Sequence, residues 1–178
     1  GIDFQVYQGE CFGILGPNGA GKSTTMRMMY GSSVATGGEL YILGLNSKSS
    51  MKAIRARIGI VPQEDGLESE FTVAENLELF SRYHGVDPEV SLRRSDELLK
   101  LMRLEEHGDQ FVRSLSGGMK RRLAIARSMV NHPELLFMDE PTSGLDPQAR
   151  IWIWTFLKRL RAEMGTVILT THYMEEAE

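Results

Sequence analysis

The stretch Gly16-Pro17-Asn18-Gly19-Ala20-Gly21-Lys22-Ser23 constrains the fold more than any other part of the chain. It fits the pattern G-x-x-x-x-G-K-[ST], and its flanks are as telling as the string. Cys11-Phe12-Gly13-Ile14-Leu15 before it is a short apolar run that reads as a buried strand. Thr24 to Tyr30 after it continues as a helix that Gly31 can stop. Glycines let backbone N–H groups close on an anion without a Cβ in the way, and they tolerate φ > 0. Those N–H groups and the positive end of a helix dipole make a nest for a triphosphate. Lys22 can reach its β- and γ-phosphates as a point charge, and Ser23 can place a hydroxyl on Mg²⁺. The plain alternative is a chance glycine turn before a helix with an exposed lysine; every fixed position being filled, with both flanks correct, argues against it.

The rest of the chain supplies the other layers of an α/β fold. Phe4 to Val6 reads as a strand and Gln8-Gly9-Glu10 as a turn. Glu39 to Leu43 is a strand stopped by Gly44, Asn46 to Ser50 a polar connection, and Met51 to Arg57 a short basic helix. Ile58-Gly59-Ile60-Val61 is a buried strand closed by Pro62. From Gln63 to about Val130 no strand is convincing. Thr72-Val73-Ala74-Glu75 has the capping-box pattern. Asp87-Pro88 opens a second helix with apolar positions Leu92, Leu98, Leu99 and Met102, and Ser116 opens a third that Asn131 and Pro133 end. Leu135 to Met138 and Thr166 to Thr171 are further strands, separated by a helix from Pro147 to Met164 that Gly165 stops. Helices between short apolar strands predict a mainly parallel sheet. The expected division is one domain over 1–178, with an α/β core of 1–63 and 131–178 and a helical insertion of 64–130.

Composition narrows the function classes. At 178 residues, 42% hydrophobic and 25% charged, the chain can bury one good core. A net charge of −4 disfavours a general nucleic-acid surface. A single cysteine, Cys11, excludes an internal disulfide and suggests a reducing compartment. No apolar run approaches the ~20 residues of a membrane span, so a membrane role would come through a partner chain. The chain opens on Gly1-Ile2-Asp3-Phe4 and stops at Glu178 inside a helical pattern, and is read as a fragment.

Three further features carry chemistry. Asp139-Glu140 stands at a strand end, where ligands of parallel sheets bind; Asp139 can hold Mg²⁺ through water and Glu140 can polarise an attacking water as general base. Leu115-Ser116-Gly117-Gly118-Met119 is a second glycine-rich helix start. Glycines inside a helix cost about 1 kcal/mol each relative to Ala, and Lys120, Arg121 and Arg122 occupy the end unfavourable for cations unless an anion binds there. Gln63 alone reads as a loop residue and His172 alone as a structural histidine; both gain meaning only within the set.

As a set these pieces resemble the nucleotide-binding domain of ATP-binding-cassette (ABC) transporters. They match its Walker A loop (16–23), Q-loop glutamine (Gln63), signature (Leu115-Ser116-Gly117-Gly118) and Walker B strand (ending Asp139-Glu140). The D-loop (Ser143-Gly144-Leu145-Asp146) and switch histidine (His172) follow, in the family's order over nearly the whole chain. The wording at 119–122 and 171–178 looks like exporter ATPases for drugs, polysaccharides and lipo-oligosaccharides.

The resemblance implies a P-loop core with a mainly parallel sheet, a small antiparallel β portion and an inserted helical subdomain. It implies ATP and Mg²⁺. Gly16, Pro17, Asn18, Gly19, Ala20, Gly21, Lys22, Ser23 and Thr24 would hold the nucleotide, joined by Ser116, Gly117, Gly118 and Asp146 across a head-to-tail dimer of like or unlike cassettes. Ser23, Gln63 and Asp139 would serve the metal, and Glu140, His172 and Gln63 the hydrolysis. Permease subunits would hold the motor at the inner face of the cell membrane. Met119 stands where many members have Gln, and the family's adenine-stacking aromatic has no match here, its place lying before Gly1; the role is not assigned to Tyr7. An ABC-type ATPase working on nucleic acid or ribosomes, and a truncated fragment that binds nucleotide without efficient turnover, remain alternatives.

Overall fold

The computed structural model describes residues 1–163 and 165–173. Four parallel strands form the central sheet in the order β1-β6-β5-β4, with β1 Cys11–Leu15, β4 Ile58–Val61, β5 Leu135–Asp139 and β6 Thr166–Thr171. β5 and β6 are buried at every position, as central strands covered on both faces must be. Their side chains alternate between two apolar clusters. Leu136, Met138, Val167 and Leu169 face one, shared with Leu77, Leu98 and Met102 of the helical stretch and with Ile153 and Phe156. Leu135, Phe137 and Ile168 face the other, with Met26, Met29, Ile54 and Ile58.

The helices are α1 Lys22–Met29, α2 Ser47–Arg57, α3 Val73–Tyr83, α4 Pro88–Leu101, α5 Gly117–Arg127 and α6 Pro147–Glu163. The caps expected for α3 and α4 form. Thr72 and Glu75 exchange the two bonds of a capping box, and Asp87 Oδ1 accepts from the Glu89 and Val90 amides. α5 carries Leu123, Ala124, Ile125 and Ala126, all fully buried, and so runs through the core between the helical stretch and the sheet. Among the described residues no helix is long and apolar enough to cross a membrane.

Several expectations are corrected. Phe4 to Val6 forms no strand: the Phe4 ring stacks on that of Phe12 in β1 at 5.2 Å, but the segment makes side-chain contact there without joining a described ladder. The strand expected over Glu39–Leu43 shrinks to β2 Tyr41–Ile42, which pairs antiparallel with β3 Leu45–Asn46; Leu43 and Gly44, at φ 52° and 75°, make the two-residue turn. The polar stretch after it is already helix, because Asn46 Oδ1 accepts from the Lys48 amide and caps α2; the helix kinks at Ser50. α1 begins at Lys22, two residues before the expected Thr24. Leu92 faces solvent at 69% exposure; Ser91, Ser95, Leu98, Leu99 and Met102 form the buried face of α4 and its cap instead. α5 ends at Arg127, and Asn131 uses Nδ2 to hold the Ala56 and Ile58 carbonyls. The expected last residue of α6, Met164, and the wording at 174–178 lie outside the described residues.

Candidate functional site

The carboxyl ends of β1, β5 and β6 deliver their loops to one side of the sheet, where a cleft of about 470 Å³ opens. Asn18, Gly19, Gly21, Lys22, Ser23 and Thr24 line one wall; Gln63, Glu140, Ser143 and His172 line the other. The glycine loop is shaped as its residue types demand. Gly19 and Gly21 take φ of 82° and 93°, strained for any side chain. A Cβ at Gly16 would stand 3.3 Å from the Ala20 Cβ, so the loop is tight there as well. Gly21 is the N-cap of α1 and no side chain caps that helix. Its first N–H groups are therefore free for an anion.

Charge is concentrated around that helix start. Lys22 is only 6% exposed; Nζ donates to the Gly16 carbonyl at 2.8 Å and the Pro17 carbonyl at 3.1 Å, and lies 3.4 Å from Glu140 Oε1. The other carboxylate oxygen of Glu140, Oε2, lies 3.3 Å from His172 Nδ1, a buried nitrogen without an aligned hydrogen-bond partner. Glu140 thus sits between a lysine and a histidine, on a backbone at φ 45°. That left-handed conformation is sparse for a non-glycine residue and persists where the surroundings over-determine it. The Glu140 amide donates to Thr170 Oγ1 at 2.9 Å, and Thr170 donates on to Asp139 Oδ1. Ser23 Oγ donates to the same Asp139 oxygen at 3.1 Å. Ser23 and Asp139 are oxygen donors side by side, with the Gln63 amide in the same cleft: the hard-ligand set that Mg²⁺ takes, with room left for water and phosphate oxygens.

The structure does not bring the whole predicted set to this cleft. Gly16, Pro17 and Ala20 shape the loop from behind. Ser116, Gly117 and Gly118 do not line it: Ser116 caps α5, its Oγ accepting from the Met119 amide at 3.3 Å, and a Cβ on Gly117 would meet nothing within 4 Å. Asp146 is also elsewhere, its Oδ1 accepting from the Ala149 amide at 3.0 Å while Oδ2 lies 3.9 Å from where a Gly118 Cβ would be. The D-loop carboxylate and the signature helix are thus neighbours within the chain.

The cationic run after the signature is also not what the sequence suggests. Arg121 is 3% exposed and bonds to peptide carbonyls near the cleft rather than awaiting an anion. Arg122 lies over the Trp152 ring at 4.5 Å. Arg127 stacks on Phe80 at 4.0 Å and donates to the Gly66 and Asp65 carbonyls; burial pulls its pKa down to about 10. On α6, Arg150 lies over the Tyr173 ring at 4.4 Å and donates to its hydroxyl, and the Tyr173 ring in turn lies 4.0 Å from that of His172. Sequence reasoning missed Arg121, Arg150 and Tyr173 as neighbours of the site. For Arg121 a signal existed: cations crowded at the wrong end of a helix dipole.

With this geometry in hand, the comparisons are specific. A family model described as ABC transporter matches residues 1–143. Nod factor export ATP-binding protein I of Cupriavidus pinatubonensis is 52% identical over 177 residues, covering 99% of this chain and 54% of that protein. The protein of the same name in Ralstonia nicotianae is 51% identical over 178 residues, covering 100% of this chain and 56% of that protein. The chain therefore spans about half the length of the curated relatives it matches. Among solved structures, a dimeric ATP-binding cassette in a post-hydrolysis state bound to ADP and Pi superposes with a TM-score of 0.86 at 32% identity, over 98% of this chain and 79% of that one. The cbiO1 protein of Clostridium perfringens, part of the ABC transporter complex cbiONQ, gives a TM-score of 0.87 at 32% identity, over 97% of this chain and 71% of that one.

Proposed function

The chain belongs to the ABC transporter family, and on that premise we propose that it is the ATP-binding and ATP-hydrolysing part of a membrane exporter. The observation that carries the reading is Glu140 held between Lys22 and His172 at the mouth of an uncapped helix. In the reaction proposed, the phosphates of ATP lie on the free amides of α1, and Lys22 exchanges its contact with Glu140 for the β- and γ-phosphates. Glu140 then accepts a proton from the attacking water as general base. His172 orients Glu140 from its far side and reaches the γ-phosphate. Ser23 and Asp139, with Gln63, would hold Mg²⁺, which neutralises charge on the β- and γ-oxygens.

Ser116, Gly117, Gly118 and Asp146 act, on this reading, on the nucleotide of a second cassette, like or unlike this one, in a head-to-tail dimer. That use suits the exposure of Ser116, Gly117 and Asp146 and the absence of all four from the lining of their own chain's cleft. The resemblance to Nod factor export proteins supports an exporter and a permease partner that places the motor at the inner face of the membrane. Residues 64–130 would form the helical subdomain on a core of 1–63 and 131–178. The test is magnesium-dependent phosphate release from ATP beside nucleotide binding. Lys22→Ala is expected to weaken ATP binding about 10–100-fold, the size of a lost charge-assisted contact; unchanged affinity would refute the placement of the phosphates.

A further inference from the structure

Arg121 stands one turn inside α5, and its guanidinium is spent on two other loops. Nε donates to the Pro141 carbonyl at 2.8 Å. Nη1 donates to the Pro62 carbonyl at 2.6 Å and to Asp65 Oδ1 at 3.0 Å, with the Gln63 carbonyl 3.5 Å away. Nη2 donates to the carbonyls of Asp139 at 3.1 Å and Glu140 at 3.3 Å. These acceptors follow or end β4 and β5, where the sheet ladder gives out and buried carbonyls need another donor. A planar fork with five N–H groups can serve both loops at once; a lysine ammonium, with three donors at one point, cannot. The Asp139–Pro141 peptides are those that hold Glu140 at φ 45°, and the Thr170 hydroxyl grips the same turn from the other side.

We infer that Arg121 is a positioning residue for the proposed hydrolysis: its guanidinium clamps the Asp139–Pro141 turn against the Pro62–Gln63 backbone, so that the Glu140 carboxylate and the Gln63 side chain face one cleft. The inference rests on Glu140 being the general base. It separates Arg121 from its neighbour in sequence, since the Arg122 guanidinium lies over the Trp152 ring instead.

The experiment compares the protein with its Arg121→Lys, Arg121→Gln and Glu140→Gln variants. Steady-state phosphate release, affinity for a fluorescent ATP analogue and the thermal midpoint are measured for each. Arg121→Lys is expected to lower kcat about 100-fold, the scale of a misplaced catalytic group, with KM and analogue affinity within about threefold of the parent. Combined with Glu140→Gln it is expected to add no further loss, because it acts through that carboxylate. The inference is overturned if Arg121→Lys folds and keeps the parent kcat, if affinity falls in step with kcat, or if the double variant is slower than Glu140→Gln by the full single effect. It is equally overturned if both Arg121 variants fail to fold, since the fork then supports the fold as a whole. A Glu140→Gln variant as fast as the parent is a different result: it removes the reading of the base, and the inference with it.

Discussion

The first turn of α1 and the first turn of α5 are built from the same materials and lie in opposite surroundings. Each joins small residues to a helix start, and each offers amides, a hydroxyl and the positive end of a dipole. At α1 the anion site is nearly complete within the chain. Gly21 leaves the amides uncapped, Lys22 is buried against Glu140, and two walls enclose a cleft. At α5 the tip is exposed, Ser116 caps it with its own hydroxyl, and among the described residues nothing stands within 4 Å of where a Gly117 Cβ would be. The same local chemistry is a pocket in one place and a surface in the other. A pocket can be judged from one chain; a surface with glycines that helix propensity disfavours asks for a second body to meet it.

The sharpest way to break this contrast is to remove the proposed base from the pocket. Glu140→Gln keeps the shape of the side chain and loses its proton-accepting charge. Turnover should fall about 10²- to 10⁴-fold, the usual scale for general-base loss, while ATP stays bound and holds the tip of one copy against the cleft of another. Gel filtration with ATP should show the variant shifted to a dimer. A variant with parent turnover, or one that never shifts, would remove Glu140 from its role.

Gly117→Ala tests the surface instead. Within one chain its methyl meets open space, and the helix should gain up to about 1 kcal/mol from better propensity. A rise in thermal midpoint together with about a tenfold fall in turnover, at unchanged single-chain nucleotide affinity, is the outcome expected if another copy must approach this backbone closely. Were turnover to rise with stability, the tip would have no partner. Arg150→Met should do less. It removes the cation over Tyr173, whose ring lies against His172, and a few-fold loss of kcat with little change in affinity is expected. Equal losses in kcat and affinity would show that it supports the whole cleft rather than the histidine.

Most of the pocket was legible because its residues follow strand ends at short range. The glycine loop, Asp139-Glu140 and His172 each follow an apolar run, and a parallel sheet must bring such ends together. Phe4 to Val6 misled because a strand needs a partner as well as a pattern, and pattern is all that sequence offers. Leu92 misled because α4 turns two serines inward, Ser91 and Ser95, which periodicity counts as polar. Arg121 stood out as a cation at the wrong end of a helix dipole, but its partners were hidden. Its acceptors lie 18 to 59 residues away along the chain and all but the Asp65 carboxylate are backbone carbonyls, which no side-chain pattern reveals.

The smallest expected effect is one of acid, and it lies outside both helix starts. His84 ends α3, and His132 lies beyond the C-terminal end of α5, at the opposite end of that helix from the signature tip. Burial lowers the pKa of each, and for His132 the nearby Arg94 adds to it. A histidine whose folded value lies below its unfolded one takes up more protons when the chain unfolds. Its contribution to stability is complete above the ordinary histidine value and is lost as pH falls through that value toward the folded one. Both residues remain exposed over more than a third of their surface, so solvent screens the effect and it should be slight. The urea midpoint should decline modestly between pH 7.5 and 5.5, and His84→Gln combined with His132→Gln should flatten part of that decline. A midpoint that rises on acidification, or a slope the double variant leaves untouched, would place the acid sensitivity elsewhere in the fold.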